Sequence, residues 1–176
     1  MKKIIYVITG LNVGGAEFVL LRLLSKIDKK EYDPLVITLR EKGEIGKKIE
    51  NLGINVYNLG INSFFELIPG LVKLFCLIRK FDPQIVHTFL IHSALFGGII
   101  AKLFNKITII WNIFSNDFSL KSNKIRNVLL FKICSYLSRT IPDKIISDSN
   151  AAYLEQKKIG FKCEKMEIIN NGVDIK

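Results

Sequence analysis

Hydrophobic positions in this chain fall into two alternating kinds of run. Short runs rich in β-branched residues, such as Ile4-Ile5-Tyr6-Val7-Ile8, are separated by longer stretches of helical character. Strands that are apolar throughout, rather than at every second position, belong to a parallel sheet covered on both faces. The pattern predicts strands at residues 4–9, 35–39, 55–58, 85–88, 108–111, 144–147 and 167–169, with helices filling the gaps. The expected fold is α/β: a Rossmann-like open parallel β-sheet of about seven strands with helices on both faces.

The predicted helices carry their own punctuation. Residues 17–26 are apolar nearly all round, as in a buried helix, with Arg22 and Lys26 toward the C-terminal end. Residues 43–52 form a second helix closed by Gly53. Ser63 caps a third that runs to about residue 79 with Pro69 inside, and Asp82-Pro83 ends that unit. Further helices are expected at residues 92–104 and 124–139, and a last one is capped by Asp148 or Ser149 and stopped by Gly160. With 176 residues and 49% hydrophobic content, residues 1–176 suffice for one core and are too few for two ordinary domains. The final Asn171-Gly172-Val173-Asp174 follows a strand without a closing helix, the pattern expected of an interdomain linker near residues 171–176.

Two segments imitate membrane signals. Met1-Lys2-Lys3 precedes an apolar run, but that run is short and passes into Gly10 and Gly14-Gly15, so it reads as a first strand. Residues 85–104 reach the ~20 apolar positions that a bilayer requires, yet His87, His92 and Gly97-Gly98 divide them into a strand and a helix.

Charge narrows the partners. Lys and Arg number 26 against 16 acids, a formal net charge of +10, which favours an anionic partner. No recognisable recognition motif accompanies the basic residues, so no nucleic acid is expected. Residues 121–144 interleave six cations with apolar positions, and residues 64–65 and 71–78 make a second apolar, Lys-bearing helix. Such helices are candidates for peripheral contact with an anionic membrane surface. Cys76, Cys134 and Cys163 are odd in number and widely spaced, without a C-x-x-C pair. Neither a disulfide framework nor a zinc site is indicated, and a reducing cytoplasmic setting fits.

In an open parallel sheet ligands bind beyond the carboxyl ends of the strands. The loop after the first strand, Thr9-Gly10-Leu11-Asn12-Val13-Gly14-Gly15-Ala16-Glu17, offers glycines and a helix start to an anion. It is not G-x-G-x-x-G, so the dinucleotide fingerprint is absent. After the fourth strand comes His87-Thr88-Phe89-Leu90-Ile91-His92, in which His92 opens a helix at the ligand edge, a position that favours neutral imidazole and hydrogen bonding to a sugar. Trp111-Asn112-Ile113-Phe114-Ser115-Asn116-Asp117 after the fifth strand is either a sugar-binding cluster or an Asn/Asp turn. Ser147-Asp148-Ser149-Asn150 after the sixth either faces the same cleft or only caps a helix.

Four pieces of the chain, in order, resemble glycosyltransferase family 4: Gly14-Gly15-Ala16-Glu17; Asp82-Pro83-Gln84-Ile85-Val86-His87 leading to His92-Ser93-Ala94; Pro142-Asp143-Lys144-Ile145-Ile146-Ser147-Asp148-Ser149; and Asn171-Gly172-Val173-Asp174. The likeness spans essentially the whole chain. It implies the N-terminal lobe of a GT-B fold, two Rossmann-like domains facing across a cleft, with the sugar nucleotide held mainly by the C-terminal domain. It implies retaining, metal-independent transfer with a sugar nucleotide as co-substrate and no cofactor. By motif, Gly14 and Gly15, with Glu17 beside them, approach the donor phosphate and acceptor, His92 touches the transferred sugar as the catalytic-site residue, and Asn116, Ser149, Asn171 and Gly172 support the cleft. The family often places an Arg or His near Phe114-Ser115, and this chain does not.

The expected function is therefore the acceptor-binding domain of a sugar-nucleotide-dependent glycosyltransferase of hexosyltransferase type. Its product is expected to be a surface polysaccharide, lipopolysaccharide or glycolipid, made from a sugar or lipid-linked acceptor on the cytoplasmic membrane face. The family's donor-domain carboxylates and phosphate-binding cation have no counterpart here, so little turnover is expected of this chain alone. The alternative is a non-catalytic membrane-docking half of a split transferase. A nicotinamide oxidoreductase is disfavoured by the first loop's glycine spacing and by the absence of a clear ribose-binding acid at Leu39-Arg40-Glu41.

Overall fold

The computed structural model describes residues 1–114 and 125–170. It contains β1 (Lys2–Ile8), α1 (Gly15–Lys26), β2 (Tyr32–Thr38), α2 (Gly43–Asn51), β3 (Val56–Asn58), α3 (Phe64–Phe81), β4 (Ile85–Phe89), α4 (Ile91–Lys102), β5 (Thr108–Ile113), α5 (Ile125–Leu137), β6 (Lys144–Ser147), α6 (Asn150–Ile159) and β7 (Met166–Ile168). All seven strands pair in parallel in the order β3-β2-β1-β4-β5-β6-β7. The chain starts in the middle, winds outward to β3, then returns to lay β4 against the other side of β1.

The apolar strands have the expected cause. Ile5 and Val7 of β1 pack with Leu74 and Ile78 of α3, Ala94 and Ala101 of α4, and Phe131 of α5 on one face of the sheet. Ile4, Tyr6 and Ile8 pack with Leu20 and Leu24 of α1 and Ile45 and Ile49 of α2 on the other. Each residue from Ile4 to Ile8 meets a helix layer, so no polar alternation survives there.

The apolar stretch at residues 85–104 divides as expected into β4 and α4. Helix α4 buries Ile91, Ser93, Ala94, Leu95, Gly97, Gly98 and Ala101, because it rests on the sheet with α3 and α5 on its flanks. Its near-continuous apolarity is that of a central helix. Among the described residues no helix is long and apolar enough to cross a membrane.

Two expectations about helices need correction. Helix α1 is not buried all round: Ala16, Leu20 and Leu24 are buried, whereas Phe18 and Leu23 are exposed. Only the side that carries these three residues packs into the core. It also begins at Gly15 rather than Glu17, which moves Glu17 into the first turn. The terminal signals read from the sequence otherwise recur. Ser63 and Glu66 form a capping box at α3, Ser149 accepts from the Ala152 amide at α6, and Gly160 closes α6 in the left-handed conformation.

Candidate functional site

Strand order reverses between β1 and β4, since the chain leaves β1 on one side toward β2 and comes back on the other as β4. A crevice opens beyond the carboxyl ends of such a strand pair, because their following loops turn to opposite faces. The loop after β1 leads to Gly14-Gly15 at the start of α1, and β4 leads through Leu90 to His92 in the first turn of α4, so both follow adjacent parallel strands at the same end of the sheet. A hydrogen bond between the Thr9 and Ser93 hydroxyls, 3.1 Å apart, ties these loops together. Ser93 is fully buried beside the half-buried His92.

The glycine loop is held from the β2 side. Arg40 N–H donates to the Thr9 carbonyl at 3.0 Å, Leu11 N–H to the Glu41 carbonyl at 3.2 Å, and Ile45 N–H to the Leu11 carbonyl at 3.0 Å. The Asn12 amide donates to the Glu41 carboxylate at 2.6 Å. Gly43 makes this approach possible: its φ is +54°, and an added Cβ would overlap the Leu11 carbonyl and the Asn12 side chain. Gly43→Ala is expected to cost about 2 kcal/mol, more than Gly60→Ala, where φ is +72° but no atom lies within 4 Å of the added Cβ. Urea midpoints of the two variants check this, and equal losses would remove the steric part of the argument.

The start of α1 differs from the expected anion cradle. An added Cβ at Gly14 would overlap the Glu17 carboxylate, so the chain's own acid lies against the helix N-terminus, while Gly15 faces open space. Burial raises the Glu17 carboxyl above its usual range, and a hydrogen bond from its own backbone amide opposes that shift. Folding then holds the proton more tightly than the unfolded chain does, and this contribution to stability is lost as pH rises through the folded-state value. Glu17→Gln is therefore expected to raise Tm above wild type at about pH 7 and to match it below the carboxylate range. Thermal melts at both pH values test this, and a gain confined to acid pH contradicts it.

The loop after β4 turns on Leu90, whose φ of +73° and ψ of +157° lie in a region that favours glycine. The Leu90 amide donates to the Asn112 carbonyl at 3.0 Å, and the Leu90 carbonyl accepts from Ala94 N–H at 2.9 Å. A strained non-glycine residue of this kind costs roughly 1–3 kcal/mol and persists where its surroundings over-determine it. Here it sets the entry of α4, and so the position of His92 two residues on.

His87 has a different place. In β4 it faces the α1 and α2 side of the sheet, between the rings of Tyr6 and Phe89 at 5.6 and 4.7 Å, with a buried Nε2 that lacks a hydrogen-bond partner among the described residues. Burial pushes its pKa down to about 3, so the ring is neutral. It belongs to the packed sheet, not to the rim.

Beyond β4 the edge is less open. Ser147 is buried and donates to Gln156 at 2.7 Å, while Gln156 donates to the Ile113 carbonyl. The Ser149 hydroxyl caps α6 and lies 3.4 Å from the Asp148 carboxylate. Both serines are thus engaged locally, and β6 is separated from β4 by β5. Asn116, Asn171 and Gly172 lie outside the described residues. The structure therefore places Gly14, Gly15, Glu17 and His92 beyond the carboxyl ends of the adjacent strands β1 and β4, and leaves Ser149 beyond β6, two strands from β4. In the sequence Thr9, Asn12 and Ser93 stand within motifs that give them no role, and Glu41 ends a stretch without a clear ribose-binding acid. Their function is to hold the two loops, and no local pattern announces it. The described residues contain no group of three or more His, Cys, Asp or Glu that could hold a metal ion.

Comparison with known proteins agrees with this architecture. A sequence model of Glycosyltransferase Family 4 matches residues 13–176. A capsular polysaccharide biosynthesis glycosyltransferase, CapH of Staphylococcus aureus, is 25% identical over 99% of this chain and 48% of its own length. Among solved structures, Anabaena HepE in complex with UDP-glucose superimposes with a TM-score of 0.79 at 18% identity, over 99% of this chain and 45% of HepE. The lipopolysaccharide outer core galactosyltransferase WaaB, in apo form, gives 0.74 at 17% identity, over 99% of this chain and 47% of WaaB. The chain spans about half the length of each of these proteins.

Proposed function

The chain belongs to glycosyltransferase family 4, and from that premise we propose that it is the acceptor-side half of a sugar-nucleotide-dependent hexosyltransferase. The observation that carries this reading is the β1/β4 reversal, with the Thr9–Ser93 bond joining the start of the double-glycine loop to the helix turn that holds His92. The reaction is sugar transfer from a nucleotide donor, with retention and without a metal, to a sugar or lipid-linked acceptor of a surface polysaccharide, lipopolysaccharide or glycolipid. Support comes from HepE, solved with UDP-glucose, and from CapH, named for capsular polysaccharide biosynthesis.

Within this reading the chain's own residues orient and contact. His92 opens α4 at the rim, where an imidazole N–H donates to a hydroxyl of the transferred sugar. Gly15 presents open backbone to a ligand. The glycine loop carries the carboxylate of Glu17 and holds that of Glu41 against Asn12, and both repel a departing nucleoside diphosphate. Stabilisation of that group falls to cations on a donor-binding domain that follows a linker near residues 171–176.

The test is incubation of labelled sugar nucleotides and membranes with a protein carrying both halves, in parallel with residues 1–176 alone. Transfer by the former and none by the latter is expected. Failure with every common donor would overturn the reading.

A further inference from the structure

Helix α3 contradicts the ordinary logic of a surface helix. Gly70, Leu74 and Ile78 are its buried residues, so its opposite side faces solvent and should be polar. That side instead carries Phe65 at 89% exposure, Ile68 at 72%, Val72 at 56% and the exposed Cys76. At roughly 100° per residue these four form one stripe about 80° wide running along the helix. Phe64, 83% exposed, stands at its N-terminal end with its ring edge-on to Phe65.

Charge on the same helix is one-sided. Lys73, Arg79 and Lys80 are exposed beside or beyond the stripe. The sole acid, Glu66, is committed: it accepts from the Asn62 and Ser63 amides and from the Ser63 hydroxyl, and these bonds hold its carboxyl below the usual range. The neighbouring α4 and α5 contain no acid at all, and Leu103 just after α4 and Leu129 and Tyr136 of α5 are exposed. On the opposite layer, by contrast, α2 pairs its lysines with acids, as in Lys48–Glu44 and Lys42–Glu50.

We infer that the outward stripe of α3 is a docking surface for an anionic lipid bilayer, with Phe64, Phe65, Ile68 and Val72 entering the interface and Lys73, Arg79 and Lys80 meeting the phosphate headgroups. Apolar residues on one side of a helix, flanked by cations and free of uncommitted acids, are the composition of a helix that lies in the interfacial plane. Flanking lysines are depleted from protein–protein interfaces, so a bilayer suits this charge pattern better than a second apolar protein face. The helix lies on the membrane rather than through it, since Leu74 and Ile78 remain packed in the core against the sheet. This inference does not depend on the transferase reading.

The experiment is co-sedimentation of residues 1–176, and of a protein carrying both halves, with phosphatidylcholine vesicles, with and without about 30% phosphatidylglycerol, at low and high salt. Binding only to the anionic vesicles, weakened by salt, is expected. The double variant Phe65→Ser/Ile68→Ser should lower the partition at least about tenfold with far-UV circular dichroism unchanged, because both side chains are exposed. Lys73→Gln/Arg79→Gln/Lys80→Gln should lower it and flatten the salt dependence. Equal binding to neutral vesicles, no vesicle binding, or an undiminished partition of the double variant overturns the inference. So does a concentration-dependent dimer that the double variant abolishes in the absence of vesicle binding, which would make a second copy the occupant. Transfer to a soluble acceptor by a protein with both halves should survive the double variant, so loss of docking and loss of catalysis read out separately.

Discussion

His92→Ala is expected to lower kcat for sugar transfer by about 10²-fold in a protein that carries both halves of the enzyme, with a smaller change in KM for the donor. A rim group that donates to the transferred sugar acts most strongly where charge develops, and loss of one such preorganised donor typically removes about 10²–10³ in kcat. The position supports this role: His92 is the second residue of α4, half-buried, beside the Ser93 that bonds Thr9 across the crevice. Ser93 and Leu90 hold the helix entry through their own hydrogen bonds, so the variant should still fold, which a thermal melt checks. His92→Gln, which keeps an N–H donor near the same place, should recover part of the rate. Steady-state kinetics of the three proteins decide the matter, and an unchanged kcat in His92→Ala removes the residue from the reaction.

Trp111→Ala is expected to cost about 3–5 kcal/mol, a large share of the roughly 5–15 kcal/mol that stabilises a typical domain. Trp111 is fully buried in β5 and packs so closely on α4 that a Cβ added at Gly98 would come within 2.6 Å of its Nε1. Truncation leaves a cavity that a parallel strand hydrogen-bonded on both sides cannot collapse to fill. The indole Nε1 is buried without a hydrogen-bond partner among the described residues. Trp111→Phe loses no bond and removes an unsatisfied donor, so it should cost distinctly less. Urea unfolding followed by far-UV circular dichroism measures both, because Trp111 is the chain's one tryptophan and its fluorescence leaves with it. A lower midpoint at constant m-value is the expected form. Equal losses in the two variants would contradict the role assigned to the ring.

Much of the architecture was legible along the chain because each signal was local. The run Ile4-Ile5-Tyr6-Val7-Ile8, the Ser63 cap with Glu66 three residues on, and Gly160 closing α6 name their structures within a few residues. The loops flanking the crevice were legible too, since strand ends and helix starts bound them. Burial around α1 is not legible in the same way, because an apolar sequence does not say how many neighbours a helix has.

The sequence by itself determined the seven strands, the helices between them and the parallel α/β class, because backbone conformation follows the period of apolar side chains and the placement of caps and breakers. Only the tertiary structure decided that β4 lies beside β1, that Thr9 reaches Ser93, that Glu17 folds onto Gly14, and that His87 turns into the sheet while His92 stays at the rim. Those facts join residues some 80 positions apart, or turn on which side of a strand or helix meets its neighbours. Packing selects them, and no stretch of sequence specifies packing alone.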